Sequence, residues 1–319
     1  MGRGRLPAVC GGPLECGKIR ISEVIIMSFA IVTDTSANLP TPLLKKHDIT
    51  AIPFSYLVDD KELTCTDTEA FDGAAYYDAM RMGKKVTTSQ ITPFRYEQAL
   101  RPLLESGRDV LFIGMSSGIS GSYSMAEYTA DMLREEFPER RIRLVDSLGA
   151  SLGEGLLVLR AIDHRRNGLG LDETADRLLK LRGRIAQVFT VDDLMHLKST
   201  GRLFNAAAVV GTMLQIKPLL KGNEEGRIVT CGVARGVKKA VALMAKKYDE
   251  LVERAGEQLV CIAHADCPEA AKQLADLLRI KNPPREIMTV CYEPVTGSHV
   301  GPGTLALFFE SGDNVRKKL

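Results

Sequence analysis

The sequence predicts an α/β protein in two domains: a doubly wound, mainly parallel sheet over residues 28–160, and an α/β domain with a mixed sheet over residues 161–319. Three observations predict it. At 319 residues, with 45% apolar and 26% charged, the chain is long enough for two ordinary globular domains. Short apolar runs that read as strands alternate with helical patterns through the first half, as βαβ units do. One of them, Val110-Leu111-Phe112-Ile113, has four bulky residues in succession, which suits a strand buried on both faces in mid-sheet.

Taken in order, residues 1–27 carry Gly, Pro, Arg and two Cys without any period, and they are expected to be an extension outside the core. Met27 stands directly before the first convincing strand, Phe29 to Val32, so synthesis is expected to start there. An intact mass that includes residues 1–26 would overturn this. The polar turn Thr33 to Asn38 follows, where open α/β sheets gather ligand groups, although Asp34 or Ser36 as a plain cap fits equally well. A short helix over Leu43–His47 and a strand over Thr50–Val58 come next. The Asp59-Asp60 turn then leads to a hairpin partner at Glu62–Cys65. Residues Glu69–Met82 read as an amphipathic helix with Phe71, Ala75 and Met80 inward and Gly83 as its stop. Thr87-Thr88-Ser89-Gln90 reads as a hydroxyl-rich loop before a helix that Pro93 opens.

After the strand at Val110, the stretch Gly114 to Tyr123 turns into Ser and Gly before a helical pattern resumes, with Ser120 or Ser122 as its N-cap. Free amides and hydroxyls at such a helix start suit an anionic oxygen group. A strand over Arg141–Val145 and a Gly-rich helix over Leu148–His164 close the first half, Gly153 and Gly155 permitting close packing. In the second half the helices are expected over 171–182, 194–200, 206–214, 236–255 and 268–280, and the strands over 186–191, 227–232, 258–264, 286–292 and 305–309, with Ile216–Leu220 extended. Between the last two strands, Thr296 to Gly303 reads as a loop that presents His299.

Several function classes are excluded. Net charge is +2 with the basic residues spread along the chain, so no nucleic-acid footprint stands out, and Arg316-Lys317-Lys318 reads as a solvated tail. No run of about eighteen apolar residues argues for a membrane span. Seven cysteines without a CxxC pair fit a reducing, cytoplasmic setting. Cys261, His264 and Cys267 have no usual zinc spacing, and neither a Walker lysine loop nor G-x-G-x-x-G is present, so no metal or cofactor is expected. The sharpest enzymatic reading is G-x-S-x-G at Gly114-Met115-Ser116-Ser117-Gly118, with Asp266 and His299 completing the Ser, Asp, His order of an α/β-hydrolase. Against it, no HGGG-like segment precedes, and Gly118 and Gly121 lengthen the turn. Arg235, between a strand and a long helix, can pair bidentately with a carboxylate or phosphate, and Arg202 is a weaker candidate of the same kind.

Six segments in order resemble the DegV family over Phe29 to Phe309: IVTDTSANLP, TTSQITP, MSSGISGSY, VDSLGASLGEGLLV, IKPLL followed by VARGVKKA, and TGSHVGPGTLALFF. The resemblance implies a two-domain bacterial protein that holds a long-chain fatty acid between its domains, the tail in an apolar tunnel. It further implies no catalysis by this chain alone. The acyl group would be presented to a separate ATP-dependent fatty acid kinase subunit, the acyl phosphate going to phospholipid synthesis, with transient contact at a membrane surface possible. Carried over, the carboxylate-binding positions are Thr88, Ser116, Ser117, Gly118 and His299, with Arg235 close by. The chain departs from the family's Lys-Gly-Gly-Arg-Ile stretch at Lys198 to Leu203.

Overall fold

The computed structural model describes residue 1, residues 29–204 and residues 216–319. The expectations placed on residues 2–27, including a start at Met27, and on the apolar helix at 206–214 lie outside the described residues. The first half supplies strands β1 (Ala30–Asp34), β2 (Ile49–Ile52), β3 (Ser55–Val58), β4 (Lys61–Thr64), β5 (Val86–Ser89), β6 (Val110–Gly114) and β7 (Ile142–Asp146). Its helices are α1 (Thr41–Lys46), α2 (Gly73–Arg81), α3 (Pro93–Glu105), α4 (Ser122–Glu136) and α5 (Leu152–Arg166). Four strands pair in parallel in the order β2-β1-β6-β7. Both faces of this sheet are covered, as its apolar runs require. Val32, Val110 and Phe112 pack with Tyr96, Leu100 and Ala126 from α3 and α4. The alternate residues Ile31, Leu111 and Ile113 pack with Leu156 and Leu157 of α5.

The second half supplies α6 (Leu171–Leu181), β8 (Ile185–Thr190), α7 (Leu194–Ser199), β9 (Ile216–Gly222), β10 (Ile228–Arg235), α8 (Val237–Leu251), β11 (Leu259–His264), α9 (Pro268–Leu278), β12 (Glu286–Cys291), α10 (Pro294–Val300), β13 (Leu305–Glu310) and α11 (Val315–Lys318). Six of its strands form a mixed sheet in the order β10-β9-β8-β13-β11-β12, in which only β11 and β12 are parallel. Helix α5 touches strands of both sheets, and one core cluster contains Ile31 and Leu111 together with Phe189 and Phe308. The boundary expected at residue 160 therefore falls inside a shared helix. Each of Leu156, Leu157 and Ile162 contributes about 1.5–3 kcal/mol by burial, and Leu157→Ala would cost about 2–5 kcal/mol.

Several expectations are corrected. The single strand expected at Thr50–Val58 is broken by Pro53-Phe54, because proline gives no ladder donor, and its second part joins the antiparallel sheet β4-β3-β5. Thr87, Thr88 and Ser89 lie in β5 of that sheet, not in a loop. Helix α2 starts later than expected, at Gly73, where the Asp72 carboxylate accepts from the Ala75 amide at 3.0 Å. Its buried residues are Gly73 and Tyr77, and Ala75 faces solvent. Helix α5 starts at Leu152 because Leu148 and Ser151 hold left-handed φ values of 53° and 52°. Of the loop expected at Thr296–Gly303, residues up to Val300 belong to α10, with the Glu293 carboxylate capping the Val295 and Thr296 amides at 2.6 and 2.5 Å. Arg316 is buried, not solvated. Among the described residues no helix is long and apolar enough to cross a membrane.

Candidate functional site

A cavity of about 240 Å³ opens where the loop after β6 meets α10 and the inner face of the mixed sheet. The parallel sheet reverses its order between β1 and β6, since β1 connects onward to β2 on one side and β6 to β7 on the other. Open α/β sheets bind ligands beside such a reversal. One wall comes from the first half: Thr88 to Gln90, Met115, Ile119 to Gly121, and Leu148 to Ser151. The other comes from the second: Gln187, Phe189 and Phe308 on the sheet, Val295, Thr296, His299 and Val300 on α10, and Arg202, Gly222, Gly226 and Ile228.

The hydroxyl-rich loop after β6 is held by its own hydrogen bonds. The buried Asp34 carboxylate accepts from the Ser36 amide at 2.9 Å and from the Met115 amide at 3.0 Å, so it works as a cap and brace. Burial raises its pKa to about 6. Ser116, 0% exposed, donates to the Gly226 carbonyl at 2.9 Å and accepts from the Gly118 amide at 3.1 Å. Ser117 donates to Asp146 at 2.6 Å. Gly118 lies so close to the β9–β10 turn that a Cβ there would stand 2.5 Å from the Glu225 carbonyl oxygen. Ser116, Ser117 and Gly118 are thus not among the cavity's lining residues: Ser116 and Gly118 hold the loop against the β9–β10 turn of the other wall, and Ser117 ties it to β7 of its own half. At the start of α4, Gly121 takes the cap position with no side-chain bond, while the Ser120 hydroxyl accepts from the Ser122 amide at 3.2 Å.

Thr88 and His299 do meet at the cavity. The Thr88 hydroxyl and His299 Nε2 are 2.9 Å apart, which ties β5 to α10. His299 Nδ1 is buried and has no partner among the described residues, and neither has the buried Thr296 hydroxyl. If the Thr88 hydroxyl donates to Nε2, the ring proton sits on Nδ1 and a free donor remains. Burial, then the Arg202 guanidinium and His196, lower the His299 pKa to about 4, so the ring is neutral at pH 7. Helix α10 reaches this place because Asn38 accepts from the Glu293 amide at 2.9 Å and Tyr77 donates to the Tyr292 carbonyl at 2.9 Å. Only glycine fits at 297, where a Cβ would stand 1.9 Å from the Tyr77 hydroxyl oxygen.

The two arginines are placed differently. Arg235, at the end of the edge strand β10, is exposed and does not line the cavity. Arg202 does line it, half-buried, with Nη1 donating to the Thr200 carbonyl and no carboxylate in ion-pair range among the described residues. Gly201, in a left-handed conformation (φ 75°), turns the chain from α7 toward it, and Gly201-Arg202 was the readable signal. Gln187 and Thr296 carry no sequence signal; the pairing of β8 with β13 and the cap of α10 bring them in.

The hydrolase constellation does not assemble. Ser116 is spent on Gly226, His299 faces Thr88, and Asp266 is paired with Arg81 at 2.5 Å. Among the described residues no group of three His, Cys, Asp or Glu side chains is placed to hold a metal ion.

Comparison with known proteins gives a consistent picture. A family model described as "Uncharacterised protein, DegV family" matches residues 28–312. A DegV domain-containing protein of Clostridium perfringens is 34% identical over 281 residues, 88% of this chain and 97% of that protein. The solved structure of a DegV family protein from Thermus thermophilus, described as fatty acid binding, has a TM-score of 0.81 at 30% identity, over 90% of this chain and 100% of that one. A fatty acid binding DegV family protein from Streptococcus agalactiae has a TM-score of 0.78 at 29% identity, again over 90% and 100% of the two chains.

Proposed function

The chain belongs to the DegV family, and on that premise we propose that it binds a long-chain fatty acid in the cavity between its two sheets, the carboxylate at Thr88, His299 and Arg202. The single observation that carries this is a buried imidazole nitrogen with no partner, near a guanidinium with no counter-ion, among the described residues, on two residues that line a cavity whose wall also holds Phe54, Met115, Phe189, Val295 and Phe308. A carboxylate leaves water only where fixed donors replace it, and these groups supply them. Relatives described as fatty acid binding support the choice of ligand.

The finer reading is that this cytoplasmic protein presents the acyl carboxylate to a separate ATP-dependent kinase, whose product, an acyl phosphate, enters phospholipid synthesis. In that step a carboxylate oxygen attacks the γ-phosphorus of ATP and ADP leaves. The chain itself shows no phosphate-binding glycine loop of the Walker type. Arg235, exposed at the end of β10 away from the cavity-lining Ile228, is then a group for the kinase and not for the lipid.

Native mass spectrometry of the purified protein, followed by denaturing extraction, tests the first statement. A fatty acid at one per chain is expected. A protein that is empty and takes up neither palmitate nor oleate would refute it. Hydroxylamine trapping tests the second: the loaded protein with ATP alone should give no hydroxamate, and addition of a fatty acid kinase subunit should produce it.

A further inference from the structure

The basic run at the C-terminus ends in a place no surface tail occupies. Arg316, in α11, is 2% exposed, and its Nη1 donates to the carbonyls of Leu148 at 2.6 Å and Asn223 at 3.2 Å. Its Nη2 donates to the Arg182 carbonyl at 2.9 Å. No carboxylate lies within ion-pair range of it among the described residues, so three backbone oxygens are what hold this buried cation. Those oxygens belong to three separate segments. Leu148 starts the 148–151 stretch, which forms a cavity wall in the first half, and Asn223 sits in the β9–β10 turn between Gly222 and Gly226, which line the cavity from the second. Arg182 follows α6.

Local geometry shows how closely this is built. Leu148 holds a left-handed φ of 53°, which a leucine adopts only under constraint. Its carbonyl also accepts from Gln187 Nε2 at 3.3 Å, on the cavity floor. A Cβ at Gly222 would stand 3.3 Å from the Arg316 guanidinium. The planar fork of arginine serves acceptors in several directions at once, which a lysine ammonium on a flexible stem does not.

We propose that Arg316 is a positioning residue of the cavity: its guanidinium holds the 148–151 wall of the first half at a fixed distance from the 222–226 wall of the second. The consequence for lipid retention rests on the fatty-acid reading given above, whereas the positioning itself does not. The test uses the full chain as Arg316→Lys and Arg316→Met, with Val315→Ala as control, because Val315 lies in the same helix and is buried in the core, and its side chain makes none of the three hydrogen bonds.

Amide hydrogen exchange is read at 147–151 and 222–227, and the dissociation rate of cis-parinaric acid is read by displacement with excess oleate. In Arg316→Lys, which keeps the charge, both segments should exchange at least tenfold faster together, and parinarate should leave at least tenfold faster. Val315→Ala, whatever its urea midpoint, should leave both readings within about twofold of wild type. Unchanged exchange at the two segments in the Arg316 variants overturns the proposal, and so does equal acceleration in Val315→Ala, which would make Arg316 an ordinary part of helix packing. Should Arg316→Met fail to fold, Arg316→Lys alone decides. Should wild type bind no parinarate, the fatty-acid reading fails and the exchange data still decide the latch.

Discussion

Replacing His299 with leucine separates two effects that the proposed site gives to the two nitrogens of one ring. In the ligand-free protein, Nδ1 is buried without a partner among the described residues, a state that costs about 1–3 kcal/mol, while the Nε2 contact with Thr88 returns about 0.5–1.5 kcal/mol. Leucine removes both. The delipidated variant should therefore be about 1 kcal/mol more stable than wild type near pH 7. Acidity adds a sign that can be checked. The folded pKa, about 4, lies below the ordinary 6.5, so the stability tied to the neutral ring is full above pH 6.5 and is lost as pH falls toward 4. Stability in the leucine variant should lead by more through that window, as urea midpoints would show. In the complex, an Nδ1–H bond to a carboxylate is charge-assisted and worth about 1.5–3 kcal/mol, which is about 10- to 100-fold in Kd. Displacement of cis-parinaric acid should show that loss for palmitate and a smaller one for hexadecanol, which carries no charge. Equal losses for acid and alcohol, or unchanged palmitate binding, would refute the assignment of the carboxylate to this ring.

Glu293 titrates in the opposite sense. Burial raises its pKa from 4.5 to about 7, so its share of stability is full below pH 4.5 and is lost as pH rises through 7. Glu293→Gln should flatten that decline in the urea midpoint, and parallel profiles would count against it. Arg202→Gln should weaken palmitate binding by about tenfold or more, and Arg235→Gln should leave it within about twofold; a larger effect at Arg235 would move the cation of the site. A fluorophosphonate should not label Ser116, which is enclosed and bonded to Gly226. A stoichiometric adduct there would bring back the hydrolase reading.

Elements were legible where one local rule decided them. The run Val110 to Ile113 became a strand covered on both faces, and Pro93 and Gly83 start and stop their helices as their backbones dictate. Thr88 and His299 were legible too, as polar groups in unusual surroundings. What failed were judgements that depend on partners far along the chain. Ser116, Ser117 and Gly118 look available in sequence because their acceptors, the Gly226 carbonyl and Asp146, and their neighbour Glu225 lie 29 to 110 positions away. Arg235 and Arg202 both follow an element end, and only the pairing order, which puts β10 at a sheet edge, separates them. Arg316 reads as one of three charges at a chain end, and the burial of Val315 and Leu319 beside it draws it inward. The loop expected at 296–303 is helical as far as Val300 because Glu293 caps it, a signal visible in the sequence once Pro294 is read as the first helical residue.

The acids behind the cavity bear on which anions it accepts. Asp34, Glu154 and Glu293 are all buried, each raised chiefly by burial, and Asp34 adds to the shift of the other two. Glu154 accepts from Thr33 at 2.8 Å and Ser36 at 2.6 Å, with no cation in ion-pair range among the described residues. A site backed in this way has little positive potential beyond Arg202, so it cannot concentrate anions as a basic pocket does. Its hold on a carboxylate head comes from Arg202 and neutral donors, worth a few kcal/mol together. By contrast, ten buried CH₂ groups contribute about 8 kcal/mol of transfer free energy. The tail must therefore decide affinity, and the head decide orientation. Acetate and inorganic phosphate, which offer the head without the tail, should fail to displace cis-parinaric acid even at millimolar concentration, whereas palmitate should displace it at a near-stoichiometric amount. Competition by phosphate would mean that charge, and not the apolar wall, selects the ligand.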